Sequence, residues 1–153
     1  MGFTVRIAVA GDYEAIAKIM YQVQKLHVDW RPDIYQDNPY FFDEDYYSFL
    51  LDKGSMYVAE TEGKVVGVLG IDRRHIENPA QVTRDVIFID SMAVDAEYRG
   101  KGIGHLFFDK VKAMKEEEGL DGIELQVNAR NAAAREMYRK CGFTEKSINM
   151  ELL

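Results

Sequence analysis

The sequence predicts an α+β fold, with a mixed sheet of six to seven strands flanked by about four helices in a single domain over residues 1–153. Three observations carry this. The chain is 153 residues long, which fits one domain and leaves little room for two. Strand-like and helix-like runs follow the order strand, helices, three strands, helix, strand, helix, strand. The first half is rich in hairpin signals, whereas the second half reads as a strand–helix–strand crossover.

Phe3 to Ala8 alternates as a first strand, and Gly11-Asp12 supplies a turn and a helix N-cap. Ile16, Ile19, Met20, Val23 and Leu26 then recur on one helical face. Residues 27–53 differ in composition from the rest. Eight aromatics (Trp30, Tyr35, Tyr40, Phe41, Phe42, Tyr46, Tyr47 and Phe49) stand among Asp29, Asp33, Asp37, Asp43, Glu44 and Asp45. Pro32 and Pro39 exclude a long helix there, although Asp43 to Leu51 suits a short one. Ser55 to Thr61 and Lys64 to Asp72 read as strands joined at Glu62-Gly63. Asp85 to Val94 is apolar nearly throughout, as a central strand would be. Ile103, Leu106, Phe107, Val111 and Met114 mark a helix that ends at Gly119. Ile123 to Val127 is a short strand, Asn131 to Lys140 a helix closed by Gly142, and Phe143 to Leu152 one or two final strands.

With 47% hydrophobic and 29% charged residues, the composition is that of an ordinary globular chain. Lys and Arg number 19 against 26 Asp and Glu, a formal charge of −7, which argues against nucleic acid as a partner. The single cysteine, Cys141, allows no internal disulfide and no Cys-based zinc site. His27, His75 and His105 share no metal-ligand spacing, so no metal is expected. No apolar run approaches the ~20 residues of a bilayer span. Charged residues interrupt the first twenty positions, against a signal peptide. The expected location is the cytoplasm, with no membrane partner.

The run Arg99-Gly100-Lys101-Gly102-Ile103-Gly104 lies between a buried strand and a helix. Glycines at alternate positions let the backbone approach a ligand, and the helix N-terminus adds unpaired N–H groups that suit a phosphate. A tight turn needing flexible glycines is the simpler alternative. No Walker run occurs. A dinucleotide fingerprint fails because His105 stands where its third glycine should be, although Glu124 lies where a ribose-binding acid would.

Val94 followed by Arg99-x-x-Gly102-x-Gly104 resembles the acyl-CoA pyrophosphate loop of the GNAT superfamily of N-acetyltransferases. Asn131, Ala134, Tyr138 and Gly142-Phe143 are similar to a second motif of that family, in the right order. Val5-Arg6-x-Ala8-x-x-x-Asp12 and Glu62-Gly63-Lys64-Val65-Val66-Gly67 resemble weaker family features. The likeness covers nearly the whole chain except about residues 27–53. It implies a twisted, mostly antiparallel sheet with splayed central strands, and acetyl-CoA as co-substrate.

The same resemblance implies site roles. The backbone of Met92, Ala93 and Val94 would bond the pantetheine arm. N–H groups from Arg99, Gly100, Lys101, Gly102, Ile103, Gly104 and His105 would hold the pyrophosphate, with Asn131 and Tyr138 also at the cofactor. Tyr138 would protonate the departing thiolate, since a thiol of pKa about 8.5 leaves more readily protonated. Packing alone also accounts for Tyr138, and capping for Asn131. Asp90, on the side of Phe88, Met92 and Val94 if alternation holds, is the candidate general base, with Glu124 and a water relay as alternatives. Cys141 reads as a packing residue, not an acyl carrier. The 27–53 segment would bind the acceptor through Trp30, Tyr35, Asp33 and Asp37, because its aromatics and acids attract a cation. The expected activity is acetyl transfer to a primary amine, of a small molecule or peptide, by direct attack in a ternary complex. A non-catalytic acyl-CoA sensor is the alternative. A homodimer through the C-terminal strands or the aromatic segment is consistent with the family.

Overall fold

The computed structural model describes residues 2–153. Among these residues five strands, β1 (Thr4–Ile7), β2 (Met56–Thr61), β3 (Lys64–Asn78), β4 (Gln81–Val94) and β5 (Gly122–Leu125), lie side by side in chain order. Only β4 and β5 run parallel; the other neighbours are antiparallel. Four α-helices, α1 (Tyr13–Trp30), α2 (Glu44–Asp52), α3 (Ile103–Glu118) and α4 (Ala132–Lys140), cover both faces. Among the described residues no helix is long and apolar enough to cross a membrane.

The sheet separates two apolar layers. On one face Val66, Leu69, Ile71, Ile87 and Ile89 pack against Phe107, Phe108 and Val111 of α3, with Met137 and Tyr138 of α4 at the margin. On the other, Val58, Val68 and Ala93 pack against Ile16 and Ile19 of α1 and Tyr47 of α2. The 3.6-residue spacing of apolar side chains gives each helix one such face. At the β2–β3 hairpin, Glu62 (φ 51°) and Gly63 (φ 76°) both take positive φ, as a two-residue turn with matching twist requires.

Two expectations need correction. The sheet has five strands rather than six to seven, because Phe143 to Leu152 forms no ladder. Alternation there gives strand propensity, but β5 presents an edge of only four residues. The tail is instead tied by side-chain charges, such as Lys146 to Glu124 at 3.0 Å, and leaves Ile148 72% exposed. The β3–β4 hairpin is also longer than its apolar pattern indicated. Its outer half is a polar ribbon held by cross-strand pairs, including His75 Nδ1 to Asp85 Oδ1 at 2.7 Å and the Arg74 guanidinium 3.7 Å from the Phe88 ring centre.

The corner from β1 into α1 turns on one buried carboxylate. Asp12, 7% exposed, accepts from Arg6 Nη1 and Nη2 at 2.8 and 2.9 Å and from the Val9 N–H at 2.9 Å. The Arg6 hydrogen bonds hold its pKa below the usual carboxylate range. A carboxylate depressed by folding adds stability above its unfolded pKa, about 4, and loses that contribution as pH falls through the lower folded value. Asp12→Asn should therefore lower unfolding stability by about 2 kcal/mol at pH 7. In urea titrations across pH, its deficit against the parent protein should narrow below about pH 4.

Candidate active site

The parallel β4–β5 ladder runs from Val86–Gly122 to Ile89–Leu125 and stops there. β4 continues to Val94 against β3, so its opposite edge from Asp90 onward has no strand beside it. A cavity of about 270 Å³ occupies the gap. Its walls are the β4 stretch Ile89 to Ala93, the segment after β5 with Asn128 and Asn131, Tyr138 of α4, and Met20, Val23, Gln24 and His27 of α1.

A bulge shapes the β4 wall. Gly70 pairs with Ser91 and Ile71 with Ile89, which leaves Asp90 as the extra residue. The bulge reverses alternation, so Met92 and Val94 join Ile87 and Ile89 on the α3 face, while Ala93 faces α1. The expectation that Phe88, Asp90, Met92 and Val94 share one side is thus overturned, and Asp90 is exposed rather than buried. A Cβ at position 70 would lie 2.5 Å from Ser91 Oγ and 3.1 Å from Met56 Sδ, so any side chain there requires both neighbours to move. The bulged residue, Asp90, lines the cavity.

Beyond Val94 the chain makes a short 3₁₀ turn, Ala96–Tyr98, and then the glycine loop. Gly102, at φ 87°, caps α3 in a left-handed conformation that an L side chain rarely adopts. The first N–H after Tyr98 to bond a backbone carbonyl is that of Leu106, to Gly102 at 3.2 Å. Seven amide groups before it, Arg99 to His105, therefore have no backbone partner among the described residues, at a helix N-terminus, an arrangement suited to an anion. Arg99 and Lys101 are exposed beside them, and Arg99 Nε donates to the Val94 carbonyl at 3.2 Å. Ile103 is buried and anchors the helix start. Gly104 serves a different need: a Cβ there would meet Met137 Sδ at 3.1 Å, so the glycine lets α3 and α4 approach. His105 is exposed, with Nδ1 3.7 Å from the thiol of Cys141, a contact that their separation in sequence conceals.

Tyr138 stands at the far wall. Its ring packs edge-on to Phe108 at 5.7 Å and lies 5.9 Å from Phe143, which fixes its direction. Burial pushes its pKa up, so the phenol is protonated at neutral pH and able to donate. Asn131 does two things: its Oδ1 accepts the Ala134 N–H at 3.1 Å as the cap of α4, and the residue lines the cavity.

The remaining residues expected at the site are divided. Glu124 is held by Arg84 at 2.9 Å and Lys146 at 3.0 Å, and the Arg84 hydrogen bond leads in drawing its pKa below the usual range. It is absent from the cavity wall, whereas Asp90 is part of it. Tyr35 lines the cavity, with its ring 4.9 Å from His27. Trp30 packs edge-on to His27 at 5.4 Å, and its carbonyl accepts from Arg130 Nη1 at 3.0 Å. Asp33 pairs with Arg31 at 2.7 Å, and Asp37 accepts the Tyr21 hydroxyl at 2.6 Å; neither lines the cavity.

His27 also belongs to the wall, and metal-ligand spacing gives no sign of it. Its Nδ1 lies 3.0 Å from the Val23 carbonyl, which in the neutral ring assigns the proton to Nδ1 and leaves Nε2 as an acceptor. The available signal is positional: Met20, Val23 and His27 continue the apolar stripe of α1, and the last is polar.

Comparison with known proteins agrees with this geometry. The sequence is 33% identical over 105 residues to a protein of Methanocaldococcus jannaschii described as an uncharacterized N-acetyltransferase, MJ1207, covering 67% of this chain and 46% of that one. The chain spans less than half the length of the first curated relatives it matches. In three dimensions it is similar to a point mutant of the BH1408 protein from Bacillus halodurans, with a TM-score of 0.89, 26% identity and 98% of each chain covered. It also shares its fold with AAC(6′)-Iy in complex with the bisubstrate analog CoA-S-monomethyl-acetylneamine, at a TM-score of 0.75 and 14% identity over 100% of this chain and 98% of that one. The profile of the Acetyltransferase (GNAT) family matches residues 20–143, and the chain belongs to that family.

Proposed function

We propose that this protein transfers the acetyl group of acetyl-CoA to a primary amine by direct attack in a ternary complex. The observation that carries the reading is a protonated, burial-shielded phenol, Tyr138, facing an unpaired β4 edge across one cavity, with a turn of free amides at the end of the same strand. Family membership supports it. Acetyl-CoA supplies the acyl group as a thioester, in which a C–N bond forms to the amine as the C–S bond breaks.

The residues divide the work. The amides of Gly100 to His105 bind the pyrophosphate, helped by Arg99 and Lys101. The free backbone edge at Met92 to Val94 aligns the pantetheine arm as an added strand would. Tyr138 gives its proton to the departing sulfur. Asp90, a carboxylate residue lining the cavity, attracts the ammonium form of the acceptor, which is the main form of an amine of pKa about 10 at neutral pH. The ammonium loses two protons: one passes through a water beside Asp90 to solvent before attack, and the other restores the Tyr138 phenol as the C–S bond breaks.

Two substitutions test the assignment. Tyr138→Phe keeps the packing on Phe108 and removes the donor. It should lower kcat by about 10- to 1000-fold with KM for acetyl-CoA nearly unchanged in steady-state thiol-release assays; equal turnover would make Tyr138 a packing residue. Gly102→Val should weaken acetyl-CoA binding at least tenfold, about 1.4 kcal/mol, as measured by calorimetry. It imposes a β-branched residue at φ 87°, so thermal unfolding of the free variant separates backbone strain from the loss of affinity.

A further inference from the structure

At Asp90 the cavity opens into a second lobe of about 180 Å³. Met20, Phe41, Asp90 and Ser91 line both volumes, so the lobe adjoins the cavity that Tyr138 lines. Its own walls are mostly apolar, with Phe42, Leu50, Met56 and Ile71, and Tyr46 and Ser55 add hydroxyl groups. The Ser55 hydroxyl donates to the Leu50 carbonyl at 3.0 Å, and Tyr46 is 46% exposed. Asp90 is the one carboxylate lining either volume.

We infer that this lobe receives the apolar substituent of the acceptor, so that the acceptors preferred are monoamines bearing a compact alkyl or aryl group. The inference rests on the transfer reading above and names its substrate class. One carboxylate at the neck matches one ammonium. With the nitrogen there, the rest of the molecule points away from Tyr138 into apolar walls, where a second ammonium finds no partner and is costly to desolvate. The acids expected to hold a polycation, Asp33 and Asp37, are engaged by Arg31 and Tyr21 outside the cavity. A longer acyl chain is the competing occupant. It brings no cation to Asp90 and would bury that carboxylate against hydrocarbon, which the amine avoids.

The test titrates the full chain, saturated with coenzyme A, with ethylamine, pentylamine, 2-phenylethylamine and 1,5-diaminopentane in a calorimeter, alongside thiol release from acetyl-CoA with each amine. Each methylene placed in an apolar pocket is worth roughly tenfold or more. Pentylamine and 2-phenylethylamine should therefore bind at least tenfold tighter than ethylamine, and 1,5-diaminopentane no tighter than ethylamine. Leu50→Glu puts a second carboxylate in the lobe and should shift the ratio of diaminopentane to pentylamine affinity at least tenfold toward the diamine. Phe41→Glu, at a position 38% exposed, makes the same change if the first variant does not fold. Equal affinity along the series, a preference of the parent protein for the diamine, or hexanoyl-CoA that binds tenfold tighter than acetyl-CoA and excludes pentylamine would each overturn the inference. Selective binding without thiol release would overturn the transfer reading and leave the lobe standing. Thiol release with a flat series would do the reverse.

Discussion

The parting of β4 from β5 is the constraint on which the site depends. Parallel pairing ends at Ile89 and Leu125, one residue before the bulge that sets Asp90 outside the β3 ladder. A bulge adds twist and bends its strand, so it turns β4 away from the line β5 follows. Backbone groups left on that edge must find hydrogen bonds in water or in a ligand. The same irregularity thus opens a slot, supplies its hydrogen-bonding wall and sets Asp90 in its lining. Gly70 favours this arrangement across the ladder, since a larger residue there would have to displace the Ser91 hydroxyl and Met56.

Charge is distributed unevenly around that slot. The chain carries −7 overall, yet the loop at the end of β4 presents Arg99 and Lys101 with amides that have no backbone partner. A negative protein favours approach of cations, and a local positive turn retains an anion where backbone N–H groups can reach it. Many acids of the aromatic segment are structural. Asp33 holds Arg31, Asp37 holds the Tyr21 hydroxyl, and Asp43 caps α2 through the Tyr46 N–H at 2.8 Å. The first two fasten this segment to α1, whose residues wall the cavity, and the third starts α2.

What could be read from the sequence was what local chemistry determines. The stripe from Ile16 to Leu26 places α1, the Glu62-Gly63 turn places a hairpin, and the glycines after Arg99 place the loop, because each depends on residues a few positions apart. Met92 and Val94 share a face with Ile89, against simple alternation, because the bulge at Asp90 is defined by pairing across the sheet with Gly70 and Ile71, not by neighbours in sequence. His27 went unnoticed for a related reason: a polar residue on an apolar stripe gains meaning only when a cavity is known to lie over it. The final strands were expected from alternation alone, which does not say whether a neighbouring edge is long enough to receive them.

The contact between Gly104 and Met137 has a mechanical meaning. Met137 adjoins Tyr138, and Gly104 belongs to the amide turn, so the two ends of the site meet through rigid, packed helices rather than through a mobile loop. The span from anion turn to phenol is therefore set like the jaws of a caliper. Under the proposed transfer, a donor gripped at its phosphates would present its sulfur to Tyr138 only if its arm had the matching length. A shorter analogue would then occupy either jaw but not both, and would be held without being brought to reaction.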